Sequence, residues 1–124
     1  MPLITSENAP VFETPGATFV GLAAPSRGSL DTSAWRVTLA PHSPGLPHRV
    51  TREEIFVALS GRAMVQMFGI RTEFAEGSAL VVPALEPFSI ANESDEPFEA
   101  IAILPVGGAA IVGDGPAFIP PWAS

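Results

Sequence analysis

The 124-residue chain has no cysteine, no tyrosine and no lysine. Without cysteine there is no disulfide framework and no thiolate chemistry. Without lysine there is no Schiff-base catalysis and no anchor for pyridoxal phosphate. Without tyrosine there is no phenolic acid or base. Charge is scarce too: 15% of the residues are charged, against ~25% in an ordinary domain. The six basic residues are all arginine, and thirteen acidic residues leave a formal charge of −7. So acidic a chain lacks the basic clusters that phosphate backbones and anionic lipid surfaces need, so neither nucleic acid nor membrane is an expected partner. The longest uncharged apolar runs, Ala79–Leu85 and Ala100–Val106, are seven residues each, far below the roughly 20 that span a bilayer. Met1 to Pro10 carries Glu7 and no basic residue, unlike a secretory leader. The expectation is a cytoplasmic chain whose partner is a small molecule or a copy of itself.

What is present is hydrophobic and finely broken. Apolar residues make up 47%, with fourteen prolines and eleven glycines among them and the polar residues. No stretch keeps a helical period for three turns, whereas short alternating or β-branched runs recur. Trp35–Leu39 alternates apolar and polar, as a half-buried strand does. Glu54–Leu59 reads as a strand buried on both faces, followed by Ser60-Gly61 and then Arg62–Phe68. With Ser60-Gly61 as a two-residue turn these runs form a hairpin, and Glu54, Phe56 and Ala58 share a face with Met67, Val65 and Ala63. Further strands are expected at Arg71–Phe74, Ala79–Val82, Phe88–Asn92 and Phe98–Leu104. Residues 1–124 form one all-β domain, an antiparallel sandwich or small barrel with its core over about 33–106. The tail over 107–124 ends Phe118-Ile119-Pro120-Pro121-Trp122. So apolar an end must dock on the domain or on a second subunit, and a homodimer is expected.

The stretch from His48 to Asn92 resembles the cupin family. The first cupin motif runs His-x-His, three or four residues, Glu, six residues, Gly. Here Glu54 and Gly61 match, His48 falls on the first His and Val50 on the second. The second motif runs Gly, five residues, Pro-x-Gly, two residues, His, three residues, Asn. Here Gly77, Pro83 and Asn92 match, while Leu85 replaces the Gly and Phe88 the His. The resemblance implies an antiparallel jelly-roll barrel (a double-stranded β-helix) of two sheets with a ligand cavity at one mouth, commonly dimeric. It also implies a metal site of three His and one Glu, of which this chain retains His48 and Glu54. Two protein ligands rarely hold a divalent transition metal tightly, so no tightly bound cofactor is expected. A metal-dependent alternative would recruit His42 to His48 and Glu54.

His48 and Glu54 are the candidate catalytic pair. They are six residues apart and can meet only if the chain bends between them, which the resemblance implies. Burial of Glu54 in an apolar cavity would raise its pKa and make it an acid or base near neutral pH. The plain structural alternative has His48 bonding a loop carbonyl and Glu54 paired with an arginine. Arg49 and Arg52 are candidate anchors for an anionic oxygen of a ligand. Phe56, Val65, Met67, Phe88 and Ile90, with Met64 and Trp35, are the candidate apolar lining. Three functions fit: a metal-independent acid–base isomerase, cyclase or dehydratase acting on a small, largely apolar ligand; a non-catalytic binding or sensing module; or a metal-dependent oxygenase or isomerase. Ser43, close in sequence to His42 and His48, lies in a proline-rich loop that offers no fixed triad geometry.

Overall fold

The computed structural model describes all 124 residues. Eleven strands follow one another: β1 (Val11–Thr14), β2 (Ala17–Ala23), β3 (Thr32–Leu39), β4 (Arg49–Val50), β5 (Glu54–Ser60), β6 (Arg62–Met67), β7 (Ile70–Ala75), β8 (Ala79–Val82), β9 (Phe88–Ala91), β10 (Phe98–Pro105) and β11 (Ala110–Ile111). They form a six-stranded sheet, β1-β2-β3-β10-β5-β8, a three-stranded sheet, β7-β6-β9, and a short pair, β11-β4. All pairings are antiparallel. The fold is the expected all-β jelly-roll barrel.

Alternation builds the core. Along β10, Phe98, Ala100, Ala102 and Leu104 are buried and the residues between them are partly exposed. Ala102 pairs with Trp35 on one side and Phe56 on the other, and Ala100 pairs with Val37 and Ala58. Alanines on this central strand leave room for the rings of its neighbours, the large-beside-small packing that fills an interior without voids. Fifteen buried residues from Trp35 to Ala123 form a single cluster.

The Ser60-Gly61 hairpin does not form. β5 pairs with β8 and β10, whereas β6 pairs with β7 and β9. Gly61 instead carries the chain from one sheet to the facing one. It sits at φ 77° with the Pro97 carbonyl so close that a Cβ would lie 2.4 Å from the oxygen. Glu54, Phe56 and Ala58 do share the interior with Ala63, Val65 and Met67, but across the barrel and not along one sheet. β5 is buried on one face only: Ile55 and Val57 are partly exposed and Leu59 is exposed. The outer face of an antiparallel sheet can meet water.

Residues 11–23, unassigned by the sequence patterns, add two strands to the large sheet. The tail docks on its own domain. Trp122 stacks on Phe19 with ring centroids 3.7 Å apart and leans on Phe12 and Trp35. The Arg27 guanidinium donates to the Trp122 carbonyl, and the Ser33 hydroxyl to the Ala123 carbonyl. Phe118 and Ile119 stay about half exposed.

Candidate functional site

The strand ends set the start of β5 and the His48–Phe88 bridge at one end of the barrel. The beginnings of β5 and β9 and the ends of β6 and β8 lie at one end of the barrel, because Glu54 pairs with Val82 and Met67 with Phe88. Glu54 opens β5 on its inward face, in step with Phe56 and Ala58. A bend at Thr51-Arg52 separates β4 from β5, so His48 and Glu54 do not share one extended strand. His48 is half-buried and bridges to Phe88 through both backbone hydrogen bonds, each 3.0 Å. Its ring lies 4.4 Å from the Phe88 ring, which in turn lies 6.0 Å from Phe56.

Glu54 is 4% exposed, and its Oε1 has no hydrogen-bond partner. No arginine pairs with it. Burial among apolar groups penalises the carboxylate and pushes its pKa from the usual 4.5 up to about 8. At neutral pH Glu54 is therefore mostly protonated. His48 moves the other way: burial lowers its pKa, and a hydrogen bond to the Leu46 carbonyl opposes part of that shift. That bond, 2.8 Å from Nδ1 to the oxygen, places the ring proton on Nδ1, because a carbonyl can only accept. Nε2 of the neutral ring then carries a lone pair. Of the plain alternatives, His48 does bond a loop carbonyl, whereas Glu54 has no arginine.

The apolar candidates converge. Phe56, Val65 and Phe88 are buried in the core cluster, with Met67 and Ile90 packed against it. Trp35 belongs to the same cluster, level with Phe56 across Ala102 and against Trp122, and Met64 lies on the other face of β6. The arginines do not converge. Arg49 alternates with His48 and Val50 and pairs with Ile111, and Arg52 is exposed in the bend before β5. Neither is ion-paired. His42 is turned to the surface, with Nε2 2.6 Å from Asp95 Oδ1. Ser43 donates to the Ala40 carbonyl, and Asn92 ties two loops together by donating to the carbonyls of Leu39 and Glu96.

The donor set does not fit a tightly held divalent transition metal. Val50 and Phe88 occupy two of the four expected ligand positions, His42 is committed to Asp95, and no three His, Asp or Glu side chains gather as a group. A cavity of about 270 Å³ opens between β7 and β8, lined by Val65 and Met67 from the predicted set and also by Phe68, Ile70, Phe74 and Leu80, whereas His48, Glu54, Phe56, Phe88 and Ile90 do not line it. The sequence patterns missed Phe68, Ile70, Phe74 and Leu80. The one available signal was Phe68-Gly69, an unusual residue pair for a tight turn.

A barrel with this strand order, and with Glu54, Gly61, Gly77, Pro83 and Asn92 at its turns and mouth, has the anatomy of a cupin. The family model for the cupin domain matches residues 35–104, and the chain belongs to that family. Among solved structures, the polyketide cyclase RemF from Streptomyces resistomycificus superposes with a TM-score of 0.73 at 18% identity, over 85% of this chain and 79% of the other. KdgF from Halomonas sp. superposes with a TM-score of 0.69 at 21% identity, over 83% and 93%. The DMSP lyase DddQ from Ruegeria pomeroyi gives 0.63 at 22% identity, over 71% and 47%. At these identities the likeness is one of fold. No curated protein matches the sequence. No helix is long and apolar enough to cross a membrane.

Proposed function

We propose that the chain is a small-molecule-binding cupin that performs metal-independent acid–base chemistry on a small, largely apolar ligand. The observation that carries this reading is Glu54, a buried, mostly neutral carboxyl with an unpartnered oxygen in an apolar interior. Two titratable groups whose environments push their pKa values in opposite directions are the mark of an acid and a base assigned by their surroundings. Glu54 supplies the proton, and Nε2 of neutral His48 accepts one. In a dehydration, His48 takes the proton from the carbon beside a carbonyl. The electron pair forms the double bond, and Glu54 protonates the departing hydroxyl, which leaves as water. An isomerisation or cyclisation uses the same two transfers. Phe56 and Phe88 exclude water and hold the apolar part of the ligand. Arg52, exposed near the start of β5, is the remaining candidate for an anionic end.

The dissimilar activities of two proteins of similar fold, a polyketide cyclase and a DMSP lyase, are compatible with such chemistry and select none of it. A second reading, a binding module without turnover, is favoured by the apolar cavity of about 270 Å³, which neither Glu54 nor His48 lines. The test is a thermal-shift screen of enolisable and β-hydroxy carbonyl compounds on untagged protein, followed by turnover assays on the hits. Metal content is measured on the same sample. Glu54→Gln is expected to keep ligand binding and to lose 10²–10⁴-fold in kcat, the usual share of a general acid. Turnover undiminished in Glu54→Gln, or stoichiometric metal that is lost in His48→Ala, overturns the proposal. Binding without turnover establishes the second reading.

A further inference from the structure

The hairpin between β6 and β7 turns on Phe68 and Gly69, both with positive φ, 55° and 73°. This is the two-residue turn that favours Asn-Gly, since both central residues must be left-handed. A bulky aromatic in the first position is an outlier. Phe68 gains no burial in return, because it and Ile70 are each 62% exposed. A strained backbone that holds a large apolar ring in water does nothing for the free fold, and such strain is concentrated at ligand sites.

What the ring borders is the cavity of about 270 Å³. It lies where β7 and β8, the edge strands of the two facing sheets, come together without pairing. Its wall is apolar: Val65, Met67 and Phe74 from the small sheet, Leu80 from the large one, and Phe68 and Ile70 at the rim. Met67 is the cross-strand neighbour of Phe88 and Leu80 that of Phe56, so the cavity adjoins the rings around the candidate acid. No basic side chain lines it. Its single ionisable residue is Glu73, whose carboxylate lies 3.8 Å from Arg62, and Thr72 and Ser78 are its uncharged polar groups.

We propose that this cavity is a subsite for a neutral, flat, hydrocarbon-rich group, and that Phe68 is its specificity-determining residue. A cavity of about 150 Å³ takes one benzene ring, so about 270 Å³ takes about two fused rings. With Glu73 at the rim and no cation, the subsite rejects a carboxylate and accepts a hydroxyl or carbonyl through Thr72 or Ser78. The inference rests on the acid–base reading only in supposing that one ligand occupies both places.

The test is calorimetric titration with 2-naphthol and 2-naphthoate, with methyl NMR shifts to locate the probe. Wild-type protein is expected to bind 2-naphthol at least tenfold more tightly than 2-naphthoate, with shifts at Met67, Ile70 and Leu80. Phe68→Asn restores the favoured turn residue. It is expected to raise Tm by about 2–5 °C and to weaken 2-naphthol at least tenfold. A residue with a purely structural role would not give that opposed pair of changes. Ile70→Ser, which removes apolar rim without touching the turn, is expected to weaken binding as well. Unchanged 2-naphthol affinity in both variants, equal affinity for the two probes, or shifts confined elsewhere overturns the subsite. The acid–base reading fails separately, on turnover in Glu54→Gln. Loss of the subsite alone leaves that reading standing.

Discussion

At the scale of single residues, Glu54 dominates the pH behaviour. The folded chain keeps its proton up to about pH 8, whereas the unfolded chain releases it near 4.5. The folded state therefore binds the extra proton between those values, and stability falls as pH rises through that window. The contribution is fully present below 4.5 and is lost at roughly 1.4 kcal/mol per pH unit. His48 has the opposite sign: with a lowered folded pKa, its contribution is present above 6.5 and lost as pH falls. Glu54→Gln mimics the neutral acid. Urea denaturation of the two proteins should give similar stabilities near pH 4 and a gain of roughly 3 kcal/mol for the variant at pH 7. Equal stabilities at both pH values would mean that the carboxyl is ionised and solvated. The sequence pointed to Glu54 because a carboxylate heading an apolar run is costly to bury. It could not show that Oε1 goes unpartnered, since that depends on what the opposite sheet brings near.

At the scale of elements, the corner at Gly61 carries the topology. Glycine there combines φ 77° with a Pro97 oxygen that leaves no space for a Cβ. Gly61→Ala must adopt left-handed backbone and displace the β9–β10 loop, and we expect a loss of about 2–4 kcal/mol by chemical denaturation. A loss below about 1 kcal/mol would show that the corner relaxes freely. The same residue explains why the hairpin expectation failed. Ser-Gly between two apolar runs suits a tight turn within a sheet and a crossing between sheets equally well. The choice falls to the partners, and β10 and β8 give β5 two neighbours where β6 would have been one. Leu85 occupies the family's glycine position and is left-handed at φ 68°, so the turn keeps its shape after losing its preferred residue.

At the scale of the whole molecule, the exposed part of the tail bears on association. The expectation of a dimer rests on the apolar tail and on what the family resemblance implies, and much of that tail is used internally, with Trp122 stacked on Phe19 and Ala123 buried. Phe118 and Ile119 remain available, and we propose that they are the contact in a homodimer. Light scattering behind size exclusion should give twice the monomer mass for the wild type and the monomer mass for the double variant Phe118→Ser, Ile119→Ser. A wild-type protein that is monomeric at high concentration refutes the proposed contact.

Much of the architecture follows from local chemistry. Alternation along β3 and β10 and glycine and proline at the turns each act over a few residues, so the sequence by itself determined an all-β sandwich or barrel, and the resemblance of the motifs around Glu54, Gly61, Gly77, Pro83 and Asn92 implied its cupin kind. The same resemblance placed Val50 and Phe88 where ligands would be. Only the tertiary structure decided which strands pair across the barrel, that His42 turns to Asp95, that Arg49 faces away, and that an apolar cavity lies between β7 and β8. Those outcomes depend on side chains distant in sequence competing for the same space and the same hydrogen bonds, and no local pattern encodes the result of that competition.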